Sequence, residues 1–532
     1  DEMGLGKTAQ AVCTLQCLRR LHKVRAPFLL VVPLSTLSHW HREVEEWTDL
    51  YAVTFHGNKE ARDLILAHEW ATRAPRGHPR RHELAVPKFD VCVTTYETLT
   101  GASADAFRKV PVWGYLVVDE AHRLKNRDAK ALQALRQLRL PRKLALTGTP
   151  LQNNVSELWS ILNFLDPHKF GDLDAFLADF GDLKTADAAR RLTNQLRPYL
   201  LRREKTDVDL GLTPMTETLI YVQITNFQKR CYRAILEQNR EVLLRGADAS
   251  SGPSFNNVSM QLRHCCNHPF LIKGVAQAEG LDDAPDAVWL ERLVASSGKF
   301  VLLDKLLPHL RAKGHRVLLF SQFKMLLNLI EDYVRLRGFT YERLDGSVTG
   351  DRRQAAIDRF CDPASSSFLF LLGTRAGGVG INLVAADTVI IFDPDWNPQN
   401  DVQAQARCHR IGQTSTVLVF RLTSADTVEE QILKSAKDKL RLEQLVISKG
   451  KYKMVGEKTD RHERLKRKEL MSLLAYDPAK SALGRGEKVI SDEELGRVMD
   501  RSAKADGHGH GFAAVDKVVS KFDAAEGQTD KA

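Results

Sequence analysis

YLVVDEAH (Tyr115–His122) is the stretch on which the fold turns. Four uncharged residues end abruptly on two adjacent carboxylates, Asp119 and Glu120. A run this short and apolar suits a strand buried on both faces, and it leaves the acidic pair at the strand's carboxyl end. The same format recurs on either side in FLLVVPL (28–34), FDVCVTTYE (89–97) and KLALTGTP (143–150), with helical patterns between several of them. Such alternation predicts a parallel α/β sheet whose ligands gather beyond the carboxyl ends of the strands. The pattern lapses over residues 170–300, where helical periodicity alternates with the polar stretch GADASSGPSFNN (246–257). It resumes in RVLLFSQF (316–323), FLFLLGTRAG (368–377), TVIIFDPDWN (388–397) and VLVFRLTS (417–424). Two α/β sheets joined by a mainly helical insertion are expected.

The totals narrow the class. No apolar run approaches the ~18 residues of a membrane helix, so no membrane partner is expected. Lysine plus arginine exceeds the acids by 77 to 67, a formal +10 that suits a polyanion and equally a bland basic surface. Eight cysteines without paired spacing point to a reducing compartment rather than a disulfide scaffold.

Three pieces carry chemistry. GLGKT (4–8) precedes AQAVCTLQCLRRL, an amphipathic helix. Backbone N–H groups of such a loop cradle phosphates, Lys7 reaches the β and γ oxygens, and Thr8 ligates Mg²⁺. The full pattern has a glycine five residues before Gly6, where this chain has Asp1; alone, the loop is also met as an accidental glycine turn. The second piece is the acid pair: Asp119 holds the metal ion through water, and Glu120 orients and deprotonates the attacking water. The third is QAQARCHRIGQ (403–413), whose spacing predicts Arg407 and Arg410 on one helical face. Arginines aimed at a transferring γ-phosphate contribute about 10³–10⁵ in rate, or ~4–7 kcal/mol of barrier. With Lys7 and Glu120 on one lobe and Arg410 on the other, hydrolysis requires closure, and turnover becomes relative motion.

At this point the ordered set DEMGLGKT, DEAHRLKN, LTGTPLQNN, LRREKTDV (201–208), LRHCCNHPF, LLFSQF, TRAGGVGINL and DWNPQNDVQAQARCHRIGQ resembles the helicase-superfamily-two ATPases of the Swi/Snf chromatin-remodelling type. The resemblance reaches to about residue 500. It implies an α/β fold of two RecA-like parallel-sheet lobes with helical insertions and a helical C-terminal extension. The implied divisions are an ATP-binding lobe truncated at its N-terminus (1–205), a helical insertion (206–298), a C-terminal lobe (299–450), a charged helical extension (451–504) and a disordered tail (505–532). It implies ATP and Mg²⁺ as cofactors, double-stranded DNA and the histones of nucleosomes as partners together with an activating protein subunit, and a nuclear location.

By the same resemblance, Gly4, Leu5, Gly6, Lys7, Thr8 and Gln403 bind nucleotide. Lys7, Asp119, Glu120, Arg407 and Arg410 are catalytic, with Thr8 and Asp119 on the metal. His122, Thr147, Gly148 and Thr149 couple hydrolysis to movement. DNA-backbone contacts fall on Ser35, Thr94, Thr95, Lys125, Ser321, Gln322, Gly346, Ser347, Thr374, Arg375 and Trp396. Trp396 reads equally as a half-buried packing residue. These are hydroxyls, glycine amides and a few cations, which hold phosphates without reading bases, so binding is expected to be sequence-independent and salt-sensitive.

The tail segments KLRLEQLVISKG (439–450), KELMSLL (468–474) and EKVISDEELGRVMDRS (487–502) look most like the lymphoid-specific helicase subgroup, which supports DNA methylation and heterochromatin. Ala406 departs from that subgroup and is shared with chromodomain-helicase remodellers; these and the imitation-switch type are its rivals. Two other classes stay open: a non-catalytic chromatin scaffold and a strand-separating helicase. The chain begins inside its phosphate loop, so it is expected to be a fragment that hydrolyses ATP poorly.

Other signals are read as structural. His264, Cys265, Cys266 and His268 have a metal site's composition, but closed zinc sites use spaced pairs, and helix packing is expected instead. Cys13 and Cys17, one turn apart, are expected on a core face. RAPRGHPRRH (73–82) reads as a basic loop, RHERLKRKE (461–469) as a charged helix, and His508 and His510 as part of a polar tail.

Overall fold

The computed structural model describes residues 1–73, 85–124, 130–147, 155–180, 191–192, 194–203, 205–208, 211–239, 255–281, 284–348, 351–374, 381–447 and 519–522. The chain divides into two compact units. Among the described residues, the first holds those of 1–211 together with Ile381 and 442–447, and the second holds the others.

In the first unit the strands are β1 (Phe28–Val32), β2 (Ala52–Phe55), β5 (Val91–Thr95), β6 (Tyr115–Val118) and β7 (Lys143–Ala145), with a separate antiparallel pair, β3 (Ala71–Arg73) and β4 (Ala85–Pro87). The main sheet runs β2-β5-β1-β6-β7, all parallel. Register aligns Val32 with Thr95 and Val31 with Val118, so the chain leaves β1, β5 and β6 along one edge. β1 shows why its sequence is an unbroken apolar run. Leu29 and Val31 pack with Phe55, Phe107 and Trp113 on one face, while Phe28, Leu30 and Val32 pack with Val12, Leu15 and Trp40 on the other. All five strand residues are fully buried, and each such side chain contributes about 1.5–3 kcal/mol by leaving water.

The second unit contains β8 (Met215–Val222), β9 (Val317–Ser321), β10 (Tyr341–Leu344), β11 (Leu369–Gly373), β12 (Thr388–Ile391), β13 (Val417–Ser424) and β14 (Val519–Phe522). They form one sheet in the order β10-β11-β9-β12-β13-β8-β14. Its core joins Leu319, Leu371, Ile390 and Phe420 to the helix Gly298–Ala312 through Phe300, Leu303, Leu306, Leu307 and Leu310. β8 lies within the segment read as helical insertion. It pairs with β13 along its whole length, Met215 opposite Val417 and Val222 opposite Ser424. MTETLIYV interleaves polar with apolar residues, and its lack of a continuous apolar run hid it. β14, four residues of the tail read as disordered, lies along β8. Beside the sheet, the helix Asn226–Gln238 starts in a capping box between Thr225 and Gln228. It packs Tyr232 and Ile235 onto Val258, Leu262 and Cys265 of the helix Phe255–Asn267.

Candidate functional site

The glycine loop is shaped by backbone that other residues resist. Gly4 and Gly6 sit at φ 88° and 73°, in left-handed space where a side chain is disfavoured. Gly6 directly precedes the helix Lys7–Arg20 and provides no side-chain cap, which leaves the first-turn N–H groups for an anion. Met3 and Leu5 are buried and anchor the loop. Lys7 Nζ donates to the carbonyls of Asp1 at 3.0 Å and Glu2 at 3.2 Å. Thr8 occupies the first turn, half-buried.

A distant segment braces this loop. Arg203 donates through Nε to Asp1 Oδ1 at 3.1 Å and through its terminal nitrogen to Asp1 Oδ2 at 2.5 Å and Gln10 Oε1 at 2.7 Å. Glu2 N–H donates to the Arg203 carbonyl at 2.9 Å, and Lys205 N–H to the Glu2 carboxylate at 2.7 Å. Sequence reading assigned Arg203 no part in the loop, because its contacts cross about the whole first unit.

The acid pair follows β6. Asp119 N–H donates to the Val31 carbonyl at 2.9 Å, which ties the pair to β1. The Asp119 carboxylate accepts from Trp40 Nε1 on Oδ2 and from Glu120 N–H on Oδ1, both at 2.9 Å. Burial, then the charge of Glu120, raise its pKa to about 6, against opposing help from Trp40, the Glu120 N–H and Lys7. Glu120 adopts φ 50°, a left-handed conformation that costs an L-residue about 1–2 kcal/mol. The Tyr96 hydroxyl donates to the Asp119 carbonyl and, at 3.3 Å, to that of Glu120. Glu120 Oε2 lies 3.2 Å from His122 Nδ1. Ala121 N–H donates to the Leu146 carbonyl at 2.9 Å, and Leu146 N–H to that of Val118 at 2.8 Å. The coupling candidate Thr147 therefore follows a residue bonded directly to the acid turn. Gly148 and Thr149 lie outside the described residues.

The donor set fits Mg²⁺. A threonine hydroxyl and carboxylates are hard oxygen ligands, and a divalent cation would offset the burial and the Glu120 charge that together raise Asp119. Thr8 and Asp119 are the residues that would hold it, with Glu120 alongside.

In the second unit, Gln403 and Arg407 are buried and Arg410 is half-buried. The helix here is Pro398–Gln405, capped by the Asn397 side chain. It stops before Arg407, so the two arginines lie in the following turns and not on a helical face. That turn is held from elsewhere. Cys408 Sγ donates to the Ala386 carbonyl at 2.7 Å, Gln413 Nε2 to the same carbonyl at 2.8 Å, and His409 Nε2 lies 2.8 Å from the Thr213 carbonyl. The helix itself is anchored by Asp401, which pairs with the fully buried Arg421, itself 2.8 Å from Glu217.

Several candidate DNA contacts face inward. Thr94 and Thr95 are fully buried; Thr94 Oγ1 donates to the Phe55 carbonyl at 2.9 Å, and Thr95 Oγ1 accepts from Thr98 N–H at 3.2 Å as a helix cap. Ser321 is fully buried and accepts from Phe323 N–H at 3.1 Å, while Gln322 Nε2 donates to the Pro394 carbonyl at 2.7 Å. Thr374 is buried and Trp396 packs beside Tyr232 and Val428. Ser35 is half-buried in the turn Leu34–Thr36. Gly346 and Ser347 are exposed on the loop after β10. Asp345 shapes that loop: burial pushes its carboxyl up, but hydrogen bonds from Ser347 and Arg343 bring it down to about 2. Lys125 and Arg375 lie outside the described residues.

Of the discounted signals, His268 is fully buried, with Nε2 2.8 Å from the Leu293 carbonyl and Nδ1 accepting from Phe270 N–H. Cys265 and Cys266 are buried in the adjoining helix core. Cys13 and Cys17 depart from the expected core face. Ala11, Val12 and Leu15 face the core, which rotates Cys17 to the surface and leaves Cys13 half-buried.

Comparison with known proteins matches two stretches of the chain, the first of them reaching beyond Gly211 into the second unit. Residues 1–271 match the SNF2-related domain and residues 298–412 the helicase conserved C-terminal domain. The chain is 45% identical to human chromodomain-helicase-DNA-binding protein 6, over 98% of this chain and 19% of that protein. It is 44% identical to the zebrafish (Danio rerio) chromodomain-helicase-DNA-binding protein 8, over 100% of this chain and 21% of that protein. Identity to human chromodomain-helicase-DNA-binding protein 9 is 43%, over 98% and 18%. The chain thus spans about a fifth of the length of the curated relatives it matches.

Proposed function

This chain belongs to the SNF2-related family, and on that premise we propose that it is an ATP-driven translocase on double-stranded DNA that remodels nucleosomes. The observation that carries the reading is the meeting, in one unit, of an uncapped glycine-loop helix start with a buried acid pair, linked by Trp40, which shares a core with Val12 of that helix and donates to Asp119. In the proposed reaction the loop N–H groups and Lys7 bind the triphosphate, and Thr8 and Asp119 would hold Mg²⁺, which would supply charge neutralisation at the phosphates. Glu120 takes the proton of the attacking water, with His122 beside it. Gln403 is assigned to nucleotide binding, and Arg407 and Arg410 to charge on the γ-phosphate. Thr147, Gly148 and Thr149 couple hydrolysis to movement.

The inward Thr94, Thr95 and Ser321 hydroxyls shift the proposed DNA contacts toward backbone amides of those strand ends, with Ser35, Gly346 and Ser347 closer to solvent. Lys125, Gln322, Thr374, Arg375 and Trp396 remain proposals from the family pattern. Within the family, the relatives' names and the shared Ala406 favour the chromodomain-helicase type over the lymphoid-specific reading of the tail. A nuclear location, nucleosomal histones and an activating subunit belong to the same proposal. Among the described residues no helix is long and apolar enough to cross a membrane.

The test is Glu120→Gln in a DNA-stimulated ATPase assay and a duplex-translocation assay. Loss of the base is expected to lower turnover about 10²–10⁴-fold with ATP still bound. Unchanged turnover would refute the assignment, and ATP-dependent opening of a forked duplex would replace translocation with strand separation.

A further inference from the structure

We infer that Trp40 and Tyr96 are positioning residues for the acid pair, Trp40 aiming the Asp119 carboxylate at the metal ion and Tyr96 holding the turn that presents Glu120. The inference deepens the proposed function and rests on its assignment of Asp119 and Glu120.

The geometry is specific on both sides. A carboxylate offers about four lone-pair positions. Trp40 Nε1 occupies one on Oδ2 and Glu120 N–H one on Oδ1, which leaves a position on each oxygen for water of a bound cation. Trp40 belongs to the helix Leu37–Trp47 and is 1% exposed, its ring packed with Val12, Leu37 and Val44. The ring is thus held rigidly, and its single donor points at the carboxylate across 79 residues of sequence. An indole N–H only donates, so this contact fixes the orientation of Oδ2 without competing for its remaining lone pair.

Tyr96 acts on the backbone. Its hydroxyl reaches the carbonyls of both Asp119 and Glu120, spanning the peptide unit whose rotation sets the Glu120 side-chain direction. Glu120 is one of three described non-glycine residues at positive φ, and such strain persists where surrounding contacts hold it. Tyr96 is itself held. Arg123 lies over its ring at 4.5 Å and pairs with Glu97 at 2.8 Å. The residue follows Thr95 at the end of β5, so one rigid segment carries both the strand end and the strut to the acid turn.

The experiment compares Trp40→Phe, Tyr96→Phe and Asp119→Asn in the whole protein. The readouts are equilibrium binding of a fluorescent ATP analogue in Mg²⁺ and in EDTA, the kcat and KM of DNA-stimulated ATPase, and thermal melting. Trp40→Phe is expected to weaken binding about tenfold in Mg²⁺ and not at all in EDTA. Tyr96→Phe is expected to leave both binding constants and KM unchanged and to lower kcat about tenfold. Asp119→Asn should abolish the Mg²⁺-dependent part of binding; if it does not, the site assignment itself fails. If Asp119→Asn behaves so while Trp40→Phe binds like the wild type, or Tyr96→Phe keeps its kcat, the positioning inference is overturned. Equal losses in both buffers accompanied by a lower melting temperature would assign these side chains to packing alone and overturn it as well.

Discussion

Lys299 provides a demanding test of how the second unit is held together beneath its strand ends. Its Nζ is fully buried and donates to Asn267 Oδ1 at 2.9 Å, the Phe392 carbonyl at 2.8 Å and Glu429 Oε1 at 2.8 Å. All three ammonium donors are used, and each ends on a different element: the end of the helix Phe255–Asn267, the residue after β12, and the start of the helix Val428–Ile447. Glu429 is equally buried and also accepts from Ser424 N–H at 2.8 Å. Lys299→Met therefore strands a carboxylate in the core. Breaking a buried pair from one side costs about 3–5 kcal/mol, whereas replacing both partners by apolar groups is often nearly neutral. Taking a denaturant slope of about 2–3 kcal/mol per molar urea, a loss of about 4 kcal/mol moves the unfolding midpoint of the second unit down by roughly 1.3–2 M. The assay is hydrogen exchange of β9 and β12 amides across a urea series, which reads this unit alone. The double variant Lys299→Met with Glu429→Leu should recover most of the loss. A single variant within 1 kcal/mol of wild type, or a double variant no better than the single, would refute the reasoning.

Two further outcomes follow from buried groups nearby. His268 is buried and its pKa falls to about 4, chiefly by desolvation, so between pH 6.5 and 4 the unfolded chain binds a proton that the folded unit refuses. Stability of the second unit should thus be complete above pH 6.5 and decline by up to about 3 kcal/mol as pH falls to 4, a slope that His268→Gln should reduce in pH-dependent urea melts. A Cβ at Gly298 would lie 2.1 Å from the Gln223 carbonyl, so Gly298→Ala should destabilise this unit by about 1–3 kcal/mol through overpacking, measured in the same way.

What the chain's own order of residues determined was the pair of parallel sheets and the residues that stand at their edges. A strand covered on both faces must be apolar at every position, as Phe28–Val32 and Val317–Ser321 are, and that pattern is visible without any knowledge of partners. The glycine loop was equally legible, since positive φ at Gly4 and Gly6 leaves little choice of residue. The acid pair, ending its own apolar strand, announced its place by local pattern alone.

Tertiary structure decided the rest, because each remaining feature depends on groups remote in the chain. β8 became a strand through its neighbour β13, whose paired residues lie some two hundred positions away. The helix before Arg407 ended at Gln405 because the following turn is bonded to Thr213 and Ala386. Thr94, Thr95 and Ser321 turned inward because acceptors or donors awaited them there. The contacts of Trp40 with Asp119 and of Arg203 with Asp1 span 79 and 202 residues. Periodicity reports which face of an element is buried; which polar partner meets it there is settled only when the chain has folded.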